Sequence, residues 1–465
     1  MSALWTLRQI ADAAGATSAR DGDVSGVSID TRTLQPGELF VALKDVRDGH
    51  EFVGDALARG AAAALVSREV AGVAADRLIK VGDTLKALEA MGRARRGQVG
   101  ARVAAVTGSV GKTSTKEALR HLLALQGRTH ASALSYNNLW GVPLSLARMP
   151  RDAQYGVFEI GMNHANEITP LTAQVRPHVA IVTTVAAVHL EHFDSVAGIA
   201  DAKGEIFSGL EPGGVAIVNG DNEWAERLKA HALKAKPSRI VTFGRAAHCD
   251  VRLLKLDLHE AFSEVAVSLF GEALRFRLSA PGEHWALNSL GVLAAISSLG
   301  GDPVRAAADM AGLSALAGRG ARQRIVSRHG AFELIDEAYN ANPLSMAAAI
   351  ANLGRTKPGE GGRRIAVLGD MLELGATGPD LHAELAKVLA EHGIDVVFAS
   401  GPLMHHLWRA IAERQRGRYA SASSEIAAAV ASEVKAGDVV MVKGSYGSKM
   451  GVVVEALRRL ATTEQ

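Results

Sequence analysis

Apolar runs alternate with amphipathic stretches through the middle of the chain. Between residues 99 and 318 the apolar runs have the length of strands, and helical stretches separate them. The predicted strands lie at 102–106, 155–160, 178–185, 215–218 and 239–243. Strands separated by helices predict a mostly parallel, doubly wound α/β sheet. Alternating apolar and polar positions at 250–257 and 264–276 predict antiparallel strands appended to that sheet.

The chain before residue 99 predicts a compact α/β module. Its predicted elements are a strand at 27–29, a turn at Pro36 and Gly37, a strand at 39–43 and an alanine-rich helix at 55–64. A further helical segment, 85–98, ends in arginines and a glycine, which is typical of a linker. We therefore expect the first domain to cover residues 1–98.

A glycine- and alanine-rich stretch at 312–320 predicts a hinge ahead of a third domain. Beyond it, strand-like runs recur between helical stretches such as 380–392. These runs lie at 332–335, 364–368, 395–399 and 438–442. The order predicts a Rossmann-like domain, and because it lacks a GxGxxG motif the fold does not imply a dinucleotide. The expected domains are thus 1–98, 99–318 and 319–465.

Length, charge and cysteine content narrow the class of protein. With 465 residues and 48% hydrophobic content the chain can bury several cores, and about 150 residues per domain gives about three domains. Lysine and arginine number 51 against 49 acidic residues, and this balance does not fit a nucleic-acid or membrane-surface binder. We expect small molecules as partners and a monomer. Since Cys249 is the single cysteine, we expect no internal disulfide and a cytoplasmic protein. We also expect no signal peptide, because the first twelve residues lack a basic-then-apolar pattern, and no membrane span, because polar residues and glycines interrupt the best uncharged run at 285–301.

A glycine-bracketed Lys-Thr pair stands between a predicted strand and a predicted helix. The loop and the helix start comprise Gly108, Ser109, Val110, Gly111, Lys112, Thr113 and Ser114. Backbone N–H groups and the positive helix end would face phosphate oxygens, Lys112 would neutralise them, and the Thr113 hydroxyl could bind Mg²⁺. The chain is therefore expected to use ATP or GTP. The full P-loop pattern has a further glycine where Val106 stands, which argues against an ordinary GTPase.

Polar residues follow three further apolar runs. Glu159 ends one of them, at the sheet edge where ligands bind, and beside Thr113 it would be a natural Mg²⁺ ligand. Taken alone, a strand-end carboxylate is more often solvated or capping. His189 and Lys203 follow the next run. Taken alone, a histidine at such a position is more often structural, and a lysine is more often a solvated helix residue. The segment 336–343 contains a tyrosine and two asparagines, whose side chains supply hydrogen-bond donors and acceptors. The alternative interpretation of this segment is a capping turn before a helix.

Several motifs in this order resemble the Mur ligases, a family that couples ATP hydrolysis to amide-bond formation in peptidoglycan precursor synthesis. TGSVGKTSTKE resembles the family's phosphate loop, FEIGMNHANEI its metal-binding glutamate segment, and VHLEHF with DAKGEIF its second metal region. The resemblance covers all three expected domains. DEAYNANPLSM, YNNLWGVPLSL and the segment 28–53 are most similar to the member that adds D-alanyl-D-alanine. The chain departs from the family at Trp285, where asparagine is frequent, and at Tyr446 and Gly447, where the sequence is usually more basic.

The resemblance implies catalytic and metal-binding roles. Lys112 and Thr113 would hold the ATP phosphates and a first Mg²⁺ together with Glu159. His189 would bind a second Mg²⁺. Lys203 matches the family's carbamylated lysine, whose CO₂ adduct turns an ammonium into a carboxylate-like group that faces the metal.

The resemblance also implies contacts to ATP and to the substrates. Asn288 would contact adenine, and Arg319 and Asp336 would clamp ATP across the domain interface. The remaining positions match substrate contacts. They are Ser28, Asp30, Thr31 and Arg32 for the uridine nucleotide, Asn137 and Asn138 in the central domain, and Tyr339, Asn340 and Asn342 for the incoming dipeptide and the nucleotide.

The expected activity is an ATP-dependent ligation of D-alanyl-D-alanine to UDP-N-acetylmuramoyl-tripeptide through an acyl phosphate. Other Mur ligases and folylpolyglutamate synthetase share the ATP chemistry, but the YNANP segment and the N-terminal module disfavour them. A different class, a nucleotide-controlled switch, would hydrolyse ATP slowly without an acceptor. A ligase should release phosphate only when both peptide and amine are present.

Overall fold

The N-terminal part of the chain carries two small sheets and three helices. The computed structural model describes residues 3–18, 20–133, 136–188, 190–279, 281–313 and 315–462. The elements before the phosphate loop are β1 (Trp5–Thr6), α1 (Leu7–Ala14), β2 (Asp23–Val24), β3 (Gly26–Ser28), β4 (Glu38–Val41), α2 (Val53–Ala58), β5 (Ala63–Val66), β6 (Leu78–Lys80) and α3 (Thr84–Gln98). Strands β3 to β6 form a parallel sheet in chain order, and β1 pairs antiparallel with β2.

The central part is built around one large mixed sheet. Its strands are β7 (Arg102–Thr107), β8 (Thr129–Ala131), β9 (Tyr155–Glu159), β10 (Val179–Val182), β11 (Val215–Asn219), β12 (Arg239–Gly244), β13 (Val251–Leu258), β14 (Ser263–Leu269) and β15 (Glu272–Leu278). Its helices are α4 (Lys112–Ala124), α5 (Gly141–Ala147), α6 (Ile168–Val175), α7 (Val196–Gly204), α8 (Ala225–Lys234), α9 (Glu283–Ser298) and α10 (Pro303–Asp309). The strand order is β15-β14-β13-β12-β11-β10-β7-β9-β8, parallel from β8 to β13 and antiparallel beyond.

Strand β7 lies inside this sheet and is buried on both faces. Ala104 and Val106 pack with α4 and α9, while Val103 and Ala105 pack with α5, α6 and α7 on the other face. A parallel strand covered by helices on both sides needs apolar residues at every position, which is why this run shows no alternation. The phosphate loop therefore emerges from a strand whose residues 103–107 are all buried.

The C-terminal part forms a second doubly wound layer. Its elements are β16 (Ala321–Ser327), β17 (Gly330–Glu337), α11 (Pro343–Arg355), β18 (Arg364–Gly369), α12 (Gly378–Glu391), β19 (Val396–Ser400), α13 (Met404–Ala410), β20 (Arg416–Ala420), α14 (Ser423–Glu433), β21 (Val439–Lys443) and α15 (Gly451–Arg458). The strand order is β16-β17-β21-β18-β19-β20, with only the β16–β17 pair antiparallel among the described residues. The predicted α/β class, with a mixed central sheet and a Rossmann-like last sheet, is confirmed.

Two sequence expectations were wrong, and a third, the antiparallel strands at 264–276, is confirmed with a refinement. The alanine-rich helix predicted at 55–64 ends at Ala58, since Gly60 takes a left-handed φ of 96°, and 63–66 forms the buried strand β5. The pattern at 264–276 is a hairpin of two strands that turns at Phe270 and Gly271. The arginine-rich end of α3 is no linker, because Arg95 and Arg96 are buried.

Helix α3 joins the N-terminal part firmly to the central part. The Arg96 guanidinium donates from Nε to the Val175 carbonyl and from a terminal nitrogen to the Arg176 carbonyl, both at 2.7 Å. These carbonyls end α6, where a helix leaves acceptors unpaired and carries partial negative charge. Trp5 adds a second link by donating its indole N–H to the Ala147 carbonyl at 2.8 Å. The first module is thus fixed against the central sheet.

His178 stands at the start of β10 and locks it to β7. Its backbone N–H donates to the Val103 carbonyl at 2.8 Å, and its Nδ1 accepts the Val103 N–H at 3.0 Å. Burial, followed by repulsion from Arg102 and Arg96, lowers the pKa of His178 from 6.5 to about 4. An Nδ1 that accepts a hydrogen bond cannot carry a proton, so the geometry requires the neutral imidazole.

The His178 pKa predicts a loss of stability in mild acid. The unfolded imidazole takes up a proton as the pH falls through about 6.5, whereas the folded one resists protonation down to about pH 4. Stability should therefore fall between these two pH values. Substitution His178→Asn keeps an acceptor but removes the titration, so its urea midpoint should fall less than that of the wild type between pH 7 and pH 5.

Tryptophan fluorescence in urea at both pH values gives the comparison. His406→Asn, which alters an exposed imidazole, serves as the matched control and should follow the wild type. If the urea midpoint of His178→Asn falls as much as that of the wild type between pH 7 and pH 5, His178 does not cause the loss of stability.

Candidate active site

The loop between β7 and α4 has the geometry of an anion cradle. Gly111 precedes the helix with a left-handed φ of 88°, and a side chain on it would come within 2.7 Å of the Asn288 amide. A side chain on Gly108 would overlap the Thr183 hydroxyl. Glycine at both positions therefore lets the loop backbone pass close to Asn288 and Thr183, just before the N–H groups of the first turn of α4.

The end of β10 braces this loop. Thr183 donates its hydroxyl to the Val110 carbonyl at 2.6 Å, and Ser109 donates its hydroxyl to the Ala186 carbonyl at 3.1 Å. The Ser109 N–H donates to the Thr184 carbonyl at 2.8 Å. The sequence analysis did not single out Thr183, although its position at the end of an apolar run is the signal that marked Glu159.

Cationic side chains converge on the loop. Lys112 donates from Nζ to the Gly108 carbonyl at 2.7 Å. Burial lowers the pKa of Lys112, the Glu159 charge opposes that shift, and repulsion from Arg319 adds to it. Lys203 is fully buried, and its pKa lies well below the usual value because of this burial and then because of Lys112. Such a group of cations suits a polyanion such as a nucleoside triphosphate.

Thr113 and Glu159 meet beside the loop, as the sequence analysis expected. Helix α4 starts next to the end of β9, and the Thr113 hydroxyl donates to Glu159 Oε2 at 2.8 Å. Both side chains are buried. A hydroxyl and a carboxylate are hard oxygen donors, and Mg²⁺ is held in this way beside substrate phosphates. The donor chemistry of the pair fits a magnesium ion.

Of the two other predicted metal ligands, His189 and Lys203, the structure describes only Lys203. His189 lies outside the described residues. The described residues contain no cluster of three or more His, Cys, Asp or Glu side chains that could hold a metal ion. Lys203 ends α7, and the helix places it close enough to repel Lys112.

Lys116 is a buried lysine that the sequence analysis missed. It lies one helical turn after Lys112 and donates from Nζ to the Ser132 carbonyl at 2.9 Å. The Ser132 hydroxyl in turn accepts the Glu159 N–H at 3.2 Å. A lysine on the same helix face as Leu119 and Leu123 is the signal that could have revealed it.

Asn288 lies beside the phosphate loop. Helix α9 carries it against Gly111, and together with Ser114 and Trp285 it lines a small cavity. Trp285 also lines a larger, open cleft between the central and C-terminal parts. Further residues line that cleft. They include Ser279, Pro281, Gly320, Arg322, Glu337 and Asn352. The cleft offers an apolar indole beside polar groups, as a purine requires.

Arg319 and Asp336 occupy different surroundings. The Arg319 guanidinium lies 4.3 Å from the centre of the Tyr339 ring, and its charge acts on Lys112. The Asp336 carboxylate is buried and pairs with Arg458 of α15 at 3.2 Å. The structure thus brings Arg319 toward the phosphate loop, while Asp336 has its partner inside the C-terminal domain.

The YNANP segment joins β17 to α11. Asn342 caps α11, since its side-chain oxygen accepts the Ser345 N–H at 2.9 Å, so the capping interpretation applies to this residue. Asn340 is exposed, and its carbonyl accepts a hydrogen bond from Lys443 Nζ at 3.0 Å. The sequence analysis missed Lys443, which is buried and also pairs with Glu337 at 3.3 Å.

The predicted uridine turn follows β3. Ser28 is buried, and its hydroxyl accepts the Asp30 N–H at 3.3 Å. Asp30 accepts two hydrogen bonds from the exposed Arg32 guanidinium, at 2.6 and 2.9 Å, and this pairing lowers the pKa of Asp30. Thr31 is half-buried between them. The turn is a preformed polar surface at the carboxyl end of the N-terminal sheet.

The two asparagines predicted to face the substrate differ in their contacts. Asn137 donates its side-chain N–H to Glu159 Oε1 at 2.7 Å. Asn138 is exposed, and its side-chain oxygen accepts the Gly141 N–H at the start of α5 at 2.9 Å. Asn137 therefore belongs to the surroundings of the carboxylate.

The phosphate loop is braced, lies beside a strand-end glutamate, and belongs to a sheet flanked by two further α/β parts. These features define a nucleotide-binding enzyme of the α/β class. Comparison with known proteins then gives the family. Three family models match: the Mur ligase family catalytic domain at 23–96, the Mur ligase middle domain at 106–296, and the Mur ligase glutamate ligase domain at 321–446. The chain belongs to the Mur ligase family.

Curated relatives match over nearly their full length. The Escherichia coli protein is 36% identical over 98% of this chain and 99% of its own length. The Rickettsia prowazekii protein is 30% identical over 97% of this chain and 99% of its own length. Both relatives carry the name UDP-N-acetylmuramoyl-tripeptide–D-alanyl-D-alanine ligase.

Solved structures of similar proteins agree with the fold. MurF from Acinetobacter baumannii superposes with a TM-score of 0.85 at 28% identity, covering 98% of this chain and 99% of that one. MurF from Thermotoga maritima, solved in complex with ADP, gives 0.77 at 27% identity over 94% and 97%. None of the helices in the described ranges has the length and apolar content that crossing a bilayer needs.

Proposed function

We propose that this chain joins D-alanyl-D-alanine to UDP-N-acetylmuramoyl-tripeptide at the expense of ATP, in peptidoglycan precursor synthesis. The observation that carries the proposal is the sequence similarity to relatives that bear the name of this ligase. It amounts to 30–36% identity and extends over nearly the full length of both chains. The phosphate loop and the Thr113–Glu159 pair support it, since they provide what ATP and magnesium require. A complex with ADP is known for the Thermotoga maritima relative.

The chemistry has two steps. A carboxylate oxygen of the tripeptide attacks the γ-phosphorus of ATP, the bond between that phosphorus and the bridging oxygen breaks, and ADP leaves with the electron pair. The dipeptide amine then attacks the acyl carbon, loses a proton, and inorganic phosphate leaves. Phosphorylation is needed because an ionised carboxylate is a poor electrophile and oxide is a poor leaving group.

Residues of this chain would serve these steps through charge and position. Lys112 would stabilise the negative charge that develops on the transferred phosphoryl group, and the N–H groups of α4 would bind its oxygens. Magnesium, held by Thr113 and Glu159, would supply further charge neutralisation when bound. Arg319 would reach the phosphates from the C-terminal domain. Enclosure between the domains would keep water from hydrolysing the acyl phosphate.

The remaining predicted roles belong to the same proposal. Asn288 would contact the adenine, and the turn at 28–32 would receive the uridine nucleotide. Tyr339 and Asn340 would face the dipeptide. A second magnesium at His189, the contact of Asp336 to ATP, the substrate contacts of Asn138 and Asn342, the domain boundaries after residues 98 and 318, the monomeric state and the cytoplasmic location all stay predictions.

Phosphate release tests the proposed activity directly. Purified protein with ATP and magnesium should release phosphate rapidly only when D-alanyl-D-alanine and UDP-N-acetylmuramoyl-tripeptide are both present, because the acyl phosphate forms on one and is consumed by the other. A coupled assay that omits each component in turn gives the measurement. Equal release from ATP alone would instead indicate a nucleotide-controlled switch.

Removal of the loop lysine should stop the chemistry without unfolding the protein. Lys112→Ala removes a charge needed chiefly in the transition state, so kcat should fall by about two to three orders of magnitude, as for loss of one strong electrostatic contact. Lys234→Ala, on the exposed face of α8, is the matched control. Near-normal turnover by a folded Lys112→Ala protein would contradict the assigned role.

Lys203 would carry a carbamate in the active enzyme. Its buried amine can form a bond from Nζ to the carbon of CO₂ with release of one proton, which replaces a buried cation beside Lys112 with an anion. Activity lost in CO₂-depleted buffer should therefore return with bicarbonate, and native mass spectrometry should show one added CO₂. An active protein of unmodified mass that does not respond to bicarbonate would exclude this adduct.

A further inference from the structure

The Glu159 carboxylate is held at both of its oxygens. Oε2 accepts the Thr113 hydroxyl at 2.8 Å, and Oε1 accepts the side-chain N–H of Asn137 at 2.7 Å. Only 1% of Glu159 is exposed, so water cannot replace either donor. A buried carboxylate with one donor on each oxygen has a single orientation.

Asn137 is itself fixed by a close backbone approach. Its carbonyl accepts the Gly161 N–H at 2.8 Å. A side chain on Gly161 would place its Cβ 2.9 Å from Asn137 Cγ. Glycine at position 161 therefore allows the Asn137 amide to lie flat against the chain beyond β9, in reach of Glu159.

The neighbouring residue, Tyr136, anchors the segment on the N-terminal module. The Arg148 guanidinium lies 6.0 Å from the centre of the Tyr136 ring and donates from Nε to the Val27 carbonyl at 2.6 Å. Tyr136 also lies close enough to Arg32 to contribute, after Asp30, to the raised pKa of that guanidinium. The residue near the predicted uridine turn and the residue that contacts Glu159 are thus consecutive in the chain.

We propose that Asn137 is a positioning residue that orients Glu159 for magnesium, rather than a direct contact to the substrate. This inference rests on the proposed function, since it assigns Glu159 to the metal of the ATP complex. Without the Asn137 amide, Oε1 loses its donor and the carboxylate can turn away from Thr113. Loss of the Asn137 amide is therefore expected to weaken magnesium binding and to leave binding of the uridine nucleotide unchanged.

Calorimetric titration of ADP tests this role without turnover. The gain in ADP affinity on replacing EDTA by magnesium should drop by about tenfold in Asn137→Ala, the size typical for loss of a group that orients a metal ligand. ADP affinity in EDTA should stay unchanged, and so should the KM for UDP-N-acetylmuramoyl-tripeptide. Gly161→Ala should reproduce the loss, because its methyl group displaces the Asn137 amide while the amide remains in the chain.

Asn138→Ala is the matched control, since its side chain contacts the Gly141 N–H; it should leave the magnesium-dependent gain at the wild-type value. If Asn137→Ala raises the KM for the nucleotide substrate tenfold or more and leaves the magnesium-dependent gain in ADP affinity unchanged, the proposal is overturned and Asn137 is a substrate contact.

If Asn137→Ala does not fold, the same two measurements on Gly161→Ala test the proposal. Failure of the proposed function would appear separately, as wild-type protein without phosphate release that depends on both substrates.

Discussion

The hydrogen bond between Thr113 and Glu159 is the contact on which the site depends. It joins the first turn of α4 to the last residue of β9, and it can form only because β7 and β9 are adjacent parallel strands that end at the same edge. Thr183, at the end of β10 on the other side of β7, braces the phosphate loop from there. Three neighbouring strands thus fix the loop, the carboxylate and the space between them, in the crevice where α/β sheets bind ligands.

Charge then determines what that space can hold. Arg319 repels Lys112, Lys112 repels Lys203, and burial disfavours the charged form of both lysines. At Lys112 the attraction of Glu159 is larger than the repulsion from Arg319, so what lowers the pKa there is mainly the cost of burying the cation. A triphosphate with its metal, or a carbamate on Lys203, would relieve it, so the site is electrostatically complementary to the ligands of the proposed reaction and unfavourable without them.

The two flanking parts are attached to the central sheet in different ways. The N-terminal module is held by buried, directional contacts, with Arg96 on the end of α6 and Trp5 on α5. Among the described residues, the hydrogen bonds between the C-terminal and central parts include two longer ones of 3.3 Å. The Glu191 N–H donates to the Glu373 carbonyl, and the Lys357 N–H donates to the Glu260 side-chain carboxylate. The turn at 28–32 is therefore held more firmly relative to Glu159 than is the side that carries Arg319 and Tyr339.

The sequence by itself determined the α/β class, the phosphate loop and the strand-end position of Glu159, because strand periodicity, loop glycines and a Lys-Thr helix start act over a few residues. It could not determine which polar groups meet across the sheet. The contact of Asn137 with Glu159 was not foreseen, and Lys116 and Thr183 were missed, because the partners Glu159, Ser132 and Val110 lie between 16 and 73 residues away in the chain. The arginines of α3 were expected in a linker, since local composition does not reveal that α6 ends beside them. Strand order and helix packing alone decide such pairings, and these arise only when the whole core assembles.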